Sequence, residues 1–200
     1  MSGAAPLAGI EDEPLGPVIG VVLAAGRGSR SGGPKVLRRD DEGTPWVANV
    51  VHLLREGGCA EVIVVLGAEA GQARALMPAG VVATYAPDWQ LGLAESLRAG
   101  LSSAEAMMTA PPVAVAITLV DIAGGNPETL RRLLAHLAPD CLVRAGFDGR
   151  PGHPVLIGHE HWRPLARSLG GDQGAAGYLR DHGVLLVECG DLESGEDVDD

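Results

Sequence analysis

The stretch VIGVVLAAGRGSRSGGPK, residues 18–35, joins an apolar run to a glycine-rich loop that carries three cations. Residues 18–24 are apolar throughout, which is typical of a strand covered on both faces of a parallel sheet. Glycines let backbone amides approach phosphate oxygens closely, and the cations in the loop neutralise the phosphate charge. The stretch therefore predicts a β-strand followed by a loop that binds a phosphate-bearing ligand.

Two familiar phosphate-binding patterns do not fit this loop. A dinucleotide fingerprint that begins at Gly26 and Gly28 requires glycine three positions later, where Ser31 stands. A Walker loop from Gly28 to Gly33 requires Lys followed by Ser or Thr, but the sequence continues Pro-Lys-Val. The loop thus favours neither a Rossmann oxidoreductase nor a P-loop NTPase.

Beyond the loop, short apolar runs alternate with stretches of helical periodicity. This alternation predicts an α/β domain, with a Rossmann-like, mostly parallel sheet and helices on both faces. Ligands of such sheets bind beyond the carboxyl ends of the strands, so the loops after Ala24 and Val120 are the expected site. The predicted strands are Val18–Ala24, Val62–Leu66, Val81–Tyr85, Val113–Val120, Cys141–Ala145, Pro154–Ile157 and Val184–Glu188, and the predicted helices are Trp46–Glu56, Ala68–Leu76, Leu91–Ala106, Pro127–Leu137, His159–Ser168 and Ala175–Asp181.

Length and composition favour one folded domain over residues 18–200. The sequence has 200 residues, of which 46% are hydrophobic but only 3% aromatic, so Ala, Val, Leu and Ile must build the core. Residues 1–17 contain three prolines and a short acidic run, without the basic start and apolar block of a signal peptide. We expect this segment to be a flexible N-terminal tail.

The net charge restricts the partners of the protein, and the cysteine content indicates its compartment. The formal net charge of −11 argues against nucleic acid and anionic membranes, and no apolar run reaches the about 18 residues of a membrane span. Five of the fifteen basic residues nevertheless lie between Arg27 and Arg39, which favours a small anionic ligand. Three widely separated cysteines form neither a zinc motif nor a disulfide framework and are typical of a reducing cytoplasm.

The loop at residues 23–35 resembles LAAGxGxRxGxPK, the signature of the MobA-like nucleotidyltransferases, and is most like the molybdenum cofactor cytidylyltransferase subgroup. The resemblance covers about residues 18–200 and implies a Rossmann-like fold of the nucleotide-diphospho-sugar transferase type. Four later segments match the family in the same order: the helix segment Gly92–Leu101, the GHPV strand at Arg150–Leu156, the GDxGA turn at Gly171–Ala175, and the D-x-D at Asp197-Val198-Asp199.

The resemblance implies transfer of a nucleoside monophosphate from a nucleoside triphosphate to a molybdopterin-type acceptor, with Mg²⁺ and release of pyrophosphate. Ala25 points to CTP, because LAAG accompanies cytidylyl transfer in this family and LAGG accompanies guanylyl transfer. The implied catalytic residues are Lys35, Arg30 and Asp121, whose charges suit a triphosphate and its metal. The implied nucleotide-binding residues are Leu23, Ala24, Ala25, Gly26, Arg27, Gly28, Lys35 and Ser96.

Metal and acceptor residues are also implied by the resemblance. Mg²⁺ prefers hard oxygen ligands, and Asp121, at the end of the most apolar strand, matches the metal-binding Asp of the family. Asp199 is the expected second ligand, with Asp197 as the alternate. Asp121 could instead be a turn residue, and the two later aspartates could be parts of an acidic tail. His153 is expected at the acceptor site, or else as a hydrogen-bonded residue of a turn.

Two other functions stay open at this point. One is nucleotidyl transfer to another phosphorylated acceptor, such as a sugar phosphate or a phospho-acid. The other is a catalytically silent nucleotide-binding accessory protein for cofactor insertion, with a molybdoenzyme or an insertion chaperone as a candidate partner. The silent alternative arises because Asp121-Ile122-Ala123 lacks the proline of the family's D-x-P motif.

Overall fold

The structure is a computed structural model that describes residues 16–28, 32–107, 112–122 and 124–195. Most of the predicted N-terminal tail, residues 1–15, lies outside these ranges. The strands are β1 (Val18–Ala24), β2 (Glu61–Leu66), β3 (Val82–Tyr85), β4 (Ala114–Leu119), β5 (Leu142–Phe147), β6 (Arg150–Gly158) and β7 (Leu185–Glu188). The helices are α1 (Trp46–Glu56), α2 (Ala70–Arg74), α3 (Leu93–Ala106), α4 (Pro127–Leu134), α5 (Trp162–Ser168) and α6 (Ala176–Asp181).

The strands form one sheet in the order β3-β2-β1-β4-β6-β5-β7. Strands β3, β2, β1 and β4 are parallel, and β7 is parallel to β5. The chain proceeds outward from β1 to β3 and then returns to place β4 on the other side of β1. This reversal between β1 and β4 opens a crevice at the carboxyl ends of both strands, which is where ligands of such sheets bind.

Both faces of the sheet are covered by helices, as the continuous apolar strands predict. Neighbouring residues of β1 such as Val21 and Val22 point to opposite faces, and both are fully buried. Side chains of α1, α2 and α4 pack in the core on one face, and those of α3, α5 and α6 pack in the core on the other. The predicted α/β fold, with a mostly parallel sheet, is confirmed. No helix within the described ranges is long and apolar enough to cross a membrane.

Strand β6 runs antiparallel to both of its neighbours and begins at Arg150, four residues before the predicted Pro154. A two-residue turn at Asp148 and Gly149 joins it to β5, and both turn residues have a positive φ, of 52° and 73°. This is the backbone conformation that Asp-Gly favours in tight hairpins. Because β6 is antiparallel to β4, its first residues lie beside the carboxyl end of β4.

Candidate active site

A cleft of about 660 Å³ lies at the carboxyl ends of β1 and β4. Its lining includes the end of β1, the loop that follows it and the residues that follow β4. The position agrees with the site expected from the reversal of strand order. All eight residues predicted to bind the nucleotide line this cleft: Leu23, Ala24, Ala25, Gly26, Arg27, Gly28, Lys35 and Ser96.

The start of the glycine-rich loop is fixed against the neighbouring β2. The carbonyl oxygen of Ala25 accepts a hydrogen bond of 3.0 Å from the amide of Ala68. Between these segments, a Cβ on Gly67 would lie only 2.6 Å from that same oxygen, so this close approach requires glycine. Gly28 then takes a φ of 63° and its carbonyl accepts from the amide of Gly33. The predicted catalytic residue Arg30 lies outside the described residues.

Lys35 and Asp121 form an ion pair inside the cleft. Nζ of Lys35 donates to Oδ2 of Asp121 at 2.8 Å, and the two side chains are 22% and 12% exposed. Helix α4 is capped by Asn126, whose side-chain oxygen accepts from the amide of Glu128. Asp121 is therefore not the cap of that helix, and its carboxylate lies with the lysine in the cleft.

The cleft wall also contains an aromatic residue, Trp89, that no sequence motif predicts. The guanidinium of Arg27 lies 5.4 Å from the ring centroid of Trp89, and both residues line the cleft. A cation over the face of an indole ring is attracted by the ring quadrupole. Trp89 follows β3, a different strand from the one that carries the loop, so local sequence gave no reason to place it beside Arg27.

Asp172 also lines the cleft. The sequence pattern predicted its glycine-rich turn, Gly171–Ala175, but gave no role to this carboxylate. The carbonyl of Gly171 accepts a hydrogen bond of 3.1 Å from the amide of Ala94 at the start of α3. A Cβ on Gly92 would lie 2.4 Å from the same carbonyl oxygen. The turn therefore packs directly against the N-terminus of α3, and this contact carries the Asp172 carboxylate to the cleft.

His153 lies in a separate pocket of about 190 Å³ that shares Leu23, Leu93 and Leu119 with the cleft. Burial, aided by the charge of Arg144, lowers the pKa of His153 to about 4, so the imidazole is neutral near pH 7. Burial also lowers the pKa of Arg144, which lines the same pocket and donates from Nε to the carbonyl of Gly152 at 2.8 Å. The histidine lies in the predicted GHPV strand, whereas no sequence motif marks the arginine.

The glycine-rich loop, its lysine and the carboxylate after β4 form a cleft suited to a nucleoside triphosphate, and residues 20–185 match the sequence model of the MobA-like NTP transferase domain. The chain belongs to this family. The predicted family membership is thereby confirmed. Nicotine blue oxidoreductase of Paenarthrobacter nicotinovorans is 36% identical over 201 residues, which cover 94% of this chain and 95% of that protein.

Solved structures agree with the MobA-like assignment of the fold. Rv0371c of Mycobacterium tuberculosis H37Rv has 26% identity and a TM-score of 0.73, covering 87% of this chain and 88% of that chain. A second structure of Rv0371c, with a TM-score of 0.71, is a complex with manganese (26% identity, 86% and 88% coverage). A nucleotidyl transferase from Methanothermobacter shares the fold, with 24% identity, a TM-score of 0.71 and coverage of 86% and 87%.

The carboxylates of the MobA-like cleft suit a divalent cation that also contacts phosphate. Within the described ranges, no group of three or more His, Cys, Asp or Glu residues is arranged to hold a metal ion. Asp121 and Asp172 do line the cleft, and Mg²⁺ commonly binds one or two carboxylates together with substrate phosphates. The predicted ligand Asp199 and its alternate Asp197 lie outside the described residues.

Proposed function

We propose that this MobA-like domain transfers a nucleoside monophosphate from a nucleoside triphosphate to an acceptor and releases pyrophosphate. The observation that carries the proposal is the Lys35–Asp121 pair in a cleft formed by a glycine-rich loop. Transfer at phosphorus depends mainly on positioning the reactants and neutralising charge, and it requires little covalent help from the protein. A lysine, a carboxylate and loop amides are the groups that this chemistry uses.

Each of these groups has a defined role in the proposed reaction. Lys35 and Arg30 neutralise the phosphates, and Lys35 stabilises the negative charge that grows on the leaving pyrophosphate. Gly28, with a φ of 63°, lies in the glycine-rich loop, and backbone amides of such loops bind phosphate oxygens in the proposed complex. A divalent cation held by Asp121 would supply further neutralisation of the phosphate oxygens. Asp199 is proposed as its second ligand.

We propose CTP as the donor and a molybdopterin-type molecule as the first acceptor to test. The support for CTP is Ala25, which lies in the LAAG sequence and is buried in the wall of the cleft. A Cβ on Gly67 would lie 2.8 Å from that of Ala25, so the methyl group is closely confined. A sugar phosphate or phospho-acid acceptor and a silent accessory protein are the alternatives. His153, in the adjoining pocket, is the proposed acceptor-side residue.

The test is pyrophosphate release with each nucleoside triphosphate, in the presence of Mg²⁺ or Mn²⁺ and molybdopterin. We expect release with CTP to exceed release with GTP and to require both the metal and the acceptor. The Lys35→Ala protein, purified in parallel, controls for contaminating phosphatases. Tight CTP binding without pyrophosphate release in the presence of any acceptor would support the silent accessory protein. Tighter binding of GTP than of CTP would contradict the proposed donor.

A second candidate function follows from the 36% identity to a protein named nicotine blue oxidoreductase, since the match covers nearly the whole of both chains. In this alternative, a reduced nicotinamide nucleotide binds through its phosphates in the same cleft and transfers hydride to a dye. The loop lacks the dinucleotide fingerprint, which argues for the transferase. Oxidation of NADH or NADPH that depends on nicotine blue, with no pyrophosphate release in the first assay, would favour the oxidoreductase.

A further inference from the structure

The pocket that contains His153 also contains a half-buried cation. We call it the Arg144 pocket: a space of about 190 Å³ lined by residues of β1, β4, β5, β6, α3 and α6. Its walls are largely aliphatic, and its polar side chains are Arg144 and His153. The walls that it shares with the nucleotide cleft make the two spaces adjacent. Aliphatic members of the wall include Leu97, Ile117, Val155, Ile157 and Leu179.

Arg144 brings a positive charge to the pocket without a carboxylate to balance it. None of the ion pairs among the described residues includes Arg144, and its side-chain hydrogen bond goes to the neutral carbonyl of Gly152. Holding a guanidinium in a largely apolar space without a counter-charge costs free energy. A negatively charged ligand group would supply the missing counter-charge, since guanidinium binds carboxylate and phosphate oxygens through parallel hydrogen bonds.

His153 adds polarity to the pocket but no second charge. The ring is partly buried, and its Nδ1 lies 3.5 Å from the carbonyl oxygen of Ile117. Because burial holds its pKa at about 4, the ring is neutral at physiological pH. The Arg144 pocket therefore presents one positive charge within aliphatic walls, which suits a ligand with one anionic group better than a polyanion.

We propose that the Arg144 pocket binds the ring portion of an apolar acceptor that carries a single anionic group, with Arg144 as its counter-ion. This inference rests on the proposed transferase function and names an acceptor class that is less polar than the molybdopterin-type acceptor. A cavity of about 150 Å³ with aliphatic and aromatic walls is large enough for benzene, so the pocket accepts one or two fused rings. Its walls offer few partners for sugar hydroxyls, whose burial without hydrogen bonds is unfavourable. The pocket selects against sugar phosphates.

The test measures binding of small probes by calorimetry and by NMR of the labelled protein, without any nucleotide. The probes are 2-naphthoate, its neutral isostere 2-naphthamide and the polyhydroxylated anion glucose 1-phosphate. We expect 2-naphthoate to bind at least roughly tenfold more tightly than the other two, because a hydrogen bond to a charged group is involved. Addition of 2-naphthoate should shift the NMR resonances of His153. Equal binding of naphthoate and naphthamide, or preference for glucose 1-phosphate, would overturn the proposal.

Variants locate the effect within the pocket. Arg144→Met should weaken 2-naphthoate binding roughly tenfold to a hundredfold and leave 2-naphthamide within about threefold. Arg150→Met, which removes an exposed cation at the start of β6, the other strand of the same hairpin, is the matched control and should bind both probes normally. If Arg144→Met does not fold, Ala176→Phe is the second variant. Ala176 is an exposed residue of the pocket wall, so a phenylalanine there should fill the pocket and block both probes. Unchanged naphthoate affinity in a folded pocket variant contradicts the assignment.

Probe binding in the Arg144 pocket and pyrophosphate release can succeed or fail independently. Selective naphthoate binding in the Arg144 pocket without any pyrophosphate release would support the pocket and contradict the transferase. Pyrophosphate release with glucose 1-phosphate as acceptor, without naphthoate binding, would support the transferase and overturn the acceptor class.

Discussion

Nζ of Lys35 and Oδ2 of Asp121 lie 2.8 Å apart, although the residues are 86 positions apart in the sequence. Lys35 is also the only lysine among the 200 residues. The pair joins the glycine-rich loop after β1 to the second residue after β4, so one contact spans the reversal in strand order. Each partner partly neutralises the other while both remain accessible from the cleft.

Replacement of Lys35 by alanine should reduce turnover by roughly 10²–10³, because one well-placed electrostatic stabiliser is lost where charge develops. The protein should remain folded by circular dichroism. Arg163→Ala removes a cation of an exposed ion pair with Glu105 and is the control for a change of net charge. Pyrophosphate release by the folded lysine variant at the control rate would show that Lys35 has no part in the chemistry.

Asp121→Asn should abolish metal-dependent turnover and leave the fold intact. The amide keeps the shape of the carboxylate but loses the charge that would hold a divalent cation beside a triphosphate. Asp148→Asn is the matched control, because Asn tolerates its positive φ and the residue lies in the β5–β6 turn. Titration with Mn²⁺ in the presence of CTP measures the effect. Equal Mn²⁺ affinities in both variants would rule out Asp121 as a ligand.

A single ε-amine makes Lys35 a direct reporter of nucleotide binding. Reductive ¹³C-methylation should yield one lysine resonance, separate from that of the N-terminal amine. Addition of CTP should shift this resonance, because the phosphates replace or join Asp121 as neighbours of the amine. CTP should also protect Lys35 from pyridoxal phosphate and borohydride labelling. A resonance that does not move at saturating CTP would place the triphosphate elsewhere.

Stability should fall with acidification in a window that His153 sets. Burial and the charge of Arg144 lower the pKa of His153 from 6.5 to about 4. Between these two pKa values, His153 binds a proton in the unfolded chain but not in the folded protein. The free energy of unfolding therefore rises with pH across this range. The effect is up to about 3 kcal/mol, at about 1.4 kcal/mol per pH unit.

Urea unfolding at about pH 7 and about pH 5 measures this dependence. His153→Gln should flatten it across the window, whereas exposed His136→Gln should preserve it. Identical pH dependence in the native protein and the His153 variant would assign the acid sensitivity to other groups.

Glycine-to-alanine substitutions at two positions should have opposite effects on stability. Gly92→Ala should destabilise the protein by about 1–3 kcal/mol or more, because its φ is 123° and a Cβ would meet the Gly171 carbonyl. Gly71→Ala, within α2 and with open space around it, should stabilise by about 0.5–1 kcal/mol. Thermal unfolding measures both. Equal effects of the two substitutions would contradict the close packing of the 171–174 turn on α3.

Much of the fold could be predicted because its elements have unambiguous local patterns. Strand β1 and helix α1 have the predicted bounds, since one is apolar on both faces and the other has a single apolar face. The early start of β6 was missed because Pro151 and Gly152 are unfavourable inside strands. The Asp148-Gly149 pair was the available signal, since it favours a tight antiparallel hairpin.

Most of the predicted cleft residues lie in segments that follow a strand, whereas Ser96, within α3, was predicted from the family pattern. The loop after β1 and Asp121 after β4 occupy such positions, and sheet topology then brings them together. Trp89, Asp172 and Arg144 reach the two pockets through contacts between distant segments. Arg144 in particular lies mid-strand, where a single polar residue is expected to face solvent and only tertiary packing buries it.

The reversed direction of β6 has a consequence for how substrate preference can be altered. A parallel strand at this position would place its final residues beside the carboxyl end of β4, whereas β6 places its first residues there and lines the Arg144 pocket with His153. The segment 142–158 is a continuous hairpin, and it contains Arg144 and His153 but none of the glycine-rich loop. If the proposed acceptor pocket is correct, exchange of this hairpin between family members should give chimeras that keep the donor nucleotide and acquire a new acceptor.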